Sequence, residues 1–349
     1  MPLDTIYLTR HGHRLNWTIN FQTGEYKSQF PTPTGNPADP TLTSHGVRQS
    51  RELADHLVSE RVVPKPFRVY SSPFYRCLQT IQPSVEALKG RQAQTQTRDE
   101  SGIDEGAVFD VRVENGVGEW FGPTSFFHHP SPSPASTLKT HFPTILPDTI
   151  TPQHQPNVIP STRGETIAQL HDRLATALSS IIADVDAEVA AHEQATGSHS
   201  SKAILICSHA APLIATGRAL TGNMPDDPDV EDFNVFTAGL STFRRRALPV
   251  EGGAHGSSDS DKDTSSLAPG TKLTKDTITV PLWRGGRGVG GGWDCVANGD
   301  CSFLSEGAER GWHFCGEESF DTGPMAPPSA FPTSGRDSSI EGSRPGTKL

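Results

Sequence analysis

Ala203-Ile204-Leu205-Ile206-Cys207 is apolar at every position. Such a run suits a strand covered on both faces, as in the middle of a parallel sheet flanked by helices. It empties into Ser208-His209-Ala210-Ala211-Pro212, and a helix is expected to follow to about Leu220. The first strand of the chain, Thr5-Ile6-Tyr7-Leu8, ends in a similar way on Thr9-Arg10-His11-Gly12-His13-Arg14. A third apolar run, Phe67-Arg68-Val69-Tyr70-Ser71, passes through Ser72-Pro73 into a helix expected from Phe74 to Leu88, with Arg76 in its first turn. Strand, loop and helix in this order predict an α/β fold, a mostly parallel sheet with helices on both faces. Ligands of open sheets bind at the carboxyl ends of the strands. That is where this chain places two histidines and its first arginines.

The intervening segments supply further parts. Thr43 is the expected N-cap of a helix that carries Leu53, Ala54 and Leu57 at helical spacing. Gly116-Val117-Gly118-Glu119-Trp120-Phe121-Gly122 is a glycine-bounded loop with one acid among apolar neighbours. Gly164-Glu165-Thr166 opens a helix to about His192, with Ile167, Leu170, Leu174, Leu178, Ile181 and Val185 on one face. Phe233–Phe236 and Ser241–Arg244 are expected to form a closing hairpin, and Arg244-Arg245-Arg246 a solvated strand end. The polar stretch from Asn20 to Pro40 reads as an insertion over one edge of the site.

A hydrophobic fraction of 34% with 33 Gly and 29 Pro implies that part of the 349-residue chain does not join the core. The expected division is a domain over 1–248 with disordered insertions near 20–40 and 125–162, and a flexible linker over 249–276. A small β module over 277–323 and a disordered tail over 324–349 complete it. A net charge of -10 argues against the whole chain gripping nucleic acid, so DNA contact is expected only indirectly. No apolar run reaches membrane-spanning length, no secretory signal is visible, and five cysteines suit a reducing compartment. Cys295, Cys301 and Cys315 with His313 lack the close spacing of a zinc knuckle, and the three cysteines read as buried thiols. No cofactor or metal is expected.

The chemistry that unites these parts is attack on phosphorus. His11 is the expected nucleophile, giving a phosphohistidine. Arg10, Arg76 and His209 would hold the equatorial oxygens, and Glu119 would protonate the leaving group and then activate water. The series Arg-His-Gly, Leu-Thr-x-x-Gly-x-x-Gln, Ser-Ser-Pro-x-x-Arg-x-x-Gln-Thr, Gly-Glu-Thr and Ser-His resembles the histidine phosphatase superfamily, the phosphoglycerate mutase-like clan, over roughly Thr5 to Arg245. The resemblance implies the same roles for His11, Arg10, Arg76, His209 and Glu119, and adds Arg14 as a further phosphate-facing arginine. His13 stands where the family usually has an acid, and Ala210 where a glycine normally follows the second histidine.

The stretches Trp293 to Leu304 and Glu309 to Phe320 resemble the small β module of a TFIIIC subunit. In fungi this module is joined to an N-terminal histidine phosphatase domain. The resemblance implies a nuclear protein, with a cytoplasmic pool also open, whose module completes a β-barrel with a larger TFIIIC subunit in RNA polymerase III promoter recognition. Three readings follow: a TFIIIC subunit with a phosphatase domain, a free-standing phosphomonoesterase, and a scaffold. The hairpin expected at Asn298-Gly299 and the aromatics Trp283, Trp293, Trp312, Phe303 and Phe314 either await a partner or cover the same chain.

Overall fold

The structure, a computed structural model, describes residues 2–94, 102–147, 154–247 and 267–315. Most of the expected linker, part of the second insertion, and everything from 316 onward, including the expected tail and Phe320, lie outside the described residues. The chain begins with β1 (Thr5–Arg10), the hairpin β2 (Trp17–Asn20) and β3 (Glu25–Ser28), α1 (Ser44–Val58), β4 (Pro66–Ser71) and α2 (Tyr75–Gln94). It continues through β5 (Arg112–Val113), α3 (Ala135–His141), β6 (Val158–Ile159), α4 (Ile167–Thr196), β7 (Ala203–Ser208) and α5 (Ala210–Thr221). β8 (Leu240–Arg245), β9 (Lys272–Leu273) and β10 (Trp293–Asp300) complete it.

Six strands form one sheet in the order β10-β8-β1-β7-β4-β5. The central pairs β1–β7, β7–β4 and β4–β5 are parallel, and β8 and β10 add antiparallel at one side. The apolar run of β7 is buried at every residue, as a doubly covered strand requires. The crossovers through α1 and α2 step toward β5, and the one through α4 steps back toward β1. Right-handed crossovers running in opposite directions place their helices on opposite faces. α1 packs with α2 and α4 with α5. The fold is therefore the expected α/β one.

Local chemistry sets the helix ends. Thr43 caps α1 by accepting from the Gly46 amide, and Thr166 forms a reciprocal capping box with Gln169 at the start of α4. Gly197 closes α4 in the left-handed conformation.

Several expectations are corrected. Asn298-Gly299 does not turn the chain but continues β10 through an irregular register against β8. The Asn298 side chain is spent on the Asn234 amide (2.8 Å) and the Asp232 carbonyl (3.0 Å), and the Gly299 amide donates to Ser241 Oγ. Both groups thus fasten a bulged strand instead of closing a hairpin. Residues 233–236 do not pair with β8, because Arg10 and its neighbours claim that segment instead: Thr237 bridges Arg10, and the Val235 carbonyl accepts from its guanidinium. Ile278–Trp283 and Gly311–Phe314 form no strand. The stretches expected as disordered insertions contain order: β2 and β3 lie in or beside the first, and α3 in the second buries Leu138 ahead of Phe142. Their Pro, Ser and Thr content hid those few apolar anchors. Finally, the described part of 277–323 packs against the same chain. Trp283, Trp293 and Phe314 are almost fully buried, and their neighbours include His171 and Trp120.

Candidate active site

The carboxyl ends of β1, β7 and β4 lie side by side. Register pairs Arg10 with Ser208, the His11 amide donates to the Ser208 carbonyl (3.0 Å), and the Ser72 amide to the Cys207 carbonyl (2.9 Å). His11, His209 and Ser72 therefore leave three adjacent strands at one edge. The two imidazoles stand edge to face with ring centres 5.3 Å apart, and Ser72 Oγ lies 2.7 Å from His209 Nε2.

The motif glycines and amides exist to hold the first loop. A Cβ on Gly12 would meet the Gly46 carbonyl at 2.9 Å, and one on Gly46 would meet the His13 carbonyl at 2.0 Å, so the loop and the first turn of α1 touch backbone to backbone. Gln49 Oε1 accepts from the His13 amide, Gln79 Oε1 from the Leu42 amide and Thr80 Oγ1 from the Gly12 amide. The Gly12 carbonyl lies 2.9 Å from His11 Nδ1. Donation from Nδ1–H to that carbonyl fixes the tautomer and leaves the Nε2 lone pair free.

Positive charge surrounds that lone pair. Arg76 is wholly buried at the start of α2, where its Nη1 donates to the Ala38 carbonyl and Asp39 and its Nη2 to Glu119 Oε2 (2.9 Å). Arg10 Nη1 donates to the Val235 carbonyl (2.8 Å) and the Arg310 carbonyl (2.5 Å). The Nε–H of both arginines is buried without an acceptor among the described residues, although buried donors are almost always satisfied. Arg14 stands farther out, above the Trp17 ring. Burial first, then Arg76, brings Arg14 down to about 9, and burial brings Arg10 down to about 10.

Glu119 follows a short 3-10 turn (Asn115–Val117) and reaches both Arg76 and His209 Nδ1, the latter at 3.1 Å. Burial pushes its carboxyl up, but the combined pull of His209, Arg76 and His11 holds it well below the usual carboxylate range. Burial pulls His209 down, and Cys77 and Glu119 more than offset this, leaving it above its ordinary value. His11 is held well below its own, by burial and then by Arg76 and His209. The ligand-type atoms of His11, Glu119 and His209 lie within 4.8 Å of one another. With two guanidinium groups on the same hollow, an anion fits it better than a metal cation.

Of the six residues expected in the site, His11, Arg76, His209 and Glu119 are joined by direct contacts, and Arg10 and Arg14 lie within electrostatic reach of Arg76 and Glu119. Sequence reasoning missed Asp39, which braces Arg76, and Cys77, whose Sγ lies 3.5 Å from His209 Nε2. It also missed the buried pair Glu165–Arg173. Arg173 Nη1 donates to the Gly116 and Gly118 carbonyls and so holds the loop that carries Glu119.

A nucleophile-competent histidine in an arginine-lined hollow at the edge of a mostly parallel sheet defines the histidine phosphatase class, and residues 6–107 match the family model for the histidine phosphatase superfamily (branch 1). The likeness to that class lies in the N-terminal part of the chain. Across 318 residues, 90% of its length, the chain is 28% identical to the transcription factor tau 55 kDa subunit of Saccharomyces cerevisiae. It is 25% identical over 243 residues to the ecdysteroid-phosphate phosphatase of Drosophila melanogaster. The chain spans 59% of the length of the first relative and 27% of the second. A solved structure of the ecdysone phosphate phosphatase of Bombyx mori is 19% identical and aligns with 73% of this chain and 96% of its own, with a TM-score of 0.44.

Proposed function

We propose that this chain hydrolyses phosphomonoesters through a phosphohistidine at His11 and does so as a subunit of the RNA polymerase III factor TFIIIC. The observation that carries the chemistry is the pair of buried, acceptorless Nε–H groups of Arg10 and Arg76 beside an imidazole with its Nε2 lone pair free. A phosphoryl oxygen is the acceptor those donors suit.

In the first half-reaction His11 Nε2 forms a bond to phosphorus as the ester P–O bond breaks. Glu119 gives its proton to the departing oxygen. Water then attacks phosphorus as Glu119 takes a proton from it, the P–N bond breaks, and inorganic phosphate leaves. Arg10, Arg76 and protonated His209 face the charge that spreads over the equatorial oxygens, with Arg14 adding to the field. Glu119 is ionised in the free protein, where it pairs with Arg76 and His209. An incoming phosphate dianion competes for those cations, so its arrival raises the Glu119 carboxyl and makes it an acid. No step requires a metal ion.

The role in transcription rests on the likeness to the yeast tau 55 kDa subunit, which extends over 90% of this chain. A nuclear location follows from the same likeness. Contact with a larger subunit through the C-terminal segment suits β10, which ends the sheet and has one side without a partner strand among the described residues. Two measurements test the reading. The full chain should turn over p-nitrophenyl phosphate while His11→Ala does not, and tagged protein should retrieve polymerase III promoter factors from nuclear extract. Turnover without retrieval would favour a free-standing phosphatase, and retrieval without turnover a scaffold.

A further inference from the structure

We propose that Arg310, delivered by the C-terminal strap 304–311, is a substrate-binding residue that reads a second anionic group beside the phosphate. The inference rests on the phosphomonoester reading of the site and names the class of substrate it takes.

The strap is fastened close to the hollow. The Ser305 amide donates to Glu52 Oε2, Glu306 pairs with Arg48, and Glu309 Oε2 meets both His45 Nε2 (2.5 Å) and Gln49 Nε2 (3.0 Å). Three of these partners flank Gln49, the same side chain that holds the His13 amide. On the other side the Thr237 amide donates to the Glu309 carbonyl. The next carbonyl, that of Arg310, accepts from Arg10 Nη1 at 2.5 Å. A segment 300 residues away in sequence thus touches the phosphate-site guanidinium directly.

The backbone at this point is disfavoured. Among the described residues only Ala238 (φ +54°) and Arg310 (φ +50°) hold positive φ without being glycine. Both touch Arg10: the Ala238 amide donates to its carbonyl, and the Arg310 carbonyl accepts from its side chain. Glycine would adopt either conformation freely, and non-glycine residues in this region gather where function needs them. Arg310 itself is exposed, and its guanidinium makes no hydrogen bond or ion pair among the described residues. Its charge is felt by Arg10, Arg14 and His13, in each case after burial. On the reading above the inner groups would take the phosphoryl group, so the exposed charge of Arg310 is left for what the substrate carries beyond phosphorus. A carboxylate or a second phosphate is the chemistry it fits.

The test is calorimetric titration of the full chain with matched non-hydrolysable phosphonates. Ethylphosphonate and 3-phosphonopropionate differ by one carboxylate. A peptide carrying a phosphonate analogue of phosphotyrosine, with Asp or Asn beside it, separates an acidic peptide from a small diacid as the source of the second charge. The wild type should bind the acidic member of at least one pair about tenfold more tightly. Arg310→Gly, which suits the left-handed backbone and spares the fold, should bring that ratio close to one, and Arg310→Lys should restore part of it. A preference that survives Arg310→Gly, or no preference in either pair of the wild type, overturns the proposal. Turnover of p-nitrophenyl phosphate is scored separately. A chain with Arg310-dependent preference and no turnover refutes hydrolysis but keeps the second-anion subsite.

Discussion

Single side chains divide the work by what their neighbours do to their protons. His11 is kept neutral by burial, Arg76 and His209, so on the proposed reading it would stay nucleophilic in mild acid. kcat/KM should fall only as pH drops through a value below 6.5, the ordinary point for histidine. His209 is shifted upward, so the protonated form, which on the proposed reading would face the phosphoryl oxygens, persists above 6.5 and is lost as pH rises through its raised value. The pH profile should therefore be bell-shaped, with limbs on either side of 6.5. Glu119→Gln removes one of the charges that raises His209, and its alkaline limb should move to lower pH. The same variant should lose about 10²–10⁴-fold in kcat on alkyl phosphates, whose leaving groups need a proton, and less on p-nitrophenyl phosphate. Equal losses on both substrates would deny Glu119 its role as acid. The residues themselves were legible in the sequence, because histidines and an arginine at strand ends, an arginine opening a helix and an acid on a glycine-bounded loop are marked by their identity and position. The motifs contain Gln49 and Gln79, but the parts their amides play were not legible. A glutamine in a helix reads as a solvated face, and only the fold shows each one tying down a backbone N–H of the other chain segment.

Elements matter here through how they brace those side chains. The loop that carries Glu119 is held by Arg173 in the interior of α4, and Arg173 is fixed in turn by the buried carboxylate of Glu165. Arg173→Ala strands that carboxylate and frees the loop, so it should cost about 3–5 kcal/mol in stability and lower kcat as well. Denaturant unfolding with a parallel rate assay checks this, and unaltered stability would mean that water replaces the pair. The opening of α4 at Gly-Glu-Thr was readable from capping chemistry, and Thr166 does cap it. That Glu165 faces a buried arginine was not, since an arginine amid leucines looks like the polar edge of an amphipathic helix. The Asn298-Gly299 dipeptide failed as a hairpin signal for a related reason. Local turn preference yields where both groups find better partners across the sheet edge.

On the scale of the molecule, the C-terminal segment belongs physically to the phosphatase-like sheet. β10 extends it, Trp293 is fully buried with its Nε1 donating to the Val289 carbonyl, and Trp283 donates to Asp172. Trp293→Ala should cost about 3–5 kcal/mol by the cavity it leaves, enough to lower the melting temperature by roughly 10 °C in a domain of this size. A variant that melts like the wild type would mean the segment does not pack on the sheet in solution. The sequence left open whether these aromatics cover their own chain, because contacts such as those of Trp283 with Asp172 and Phe314 with Trp120, between residues far apart in the chain, have no local signature. The measurement that bears most directly on the whole account is the location of the trapped phosphoryl group. The full chain, quenched in alkali during turnover of a phosphomonoester and digested, should yield by mass spectrometry an acid-labile phosphate on His11. Phosphate on His209, on another residue, or on none while turnover proceeds would contradict it.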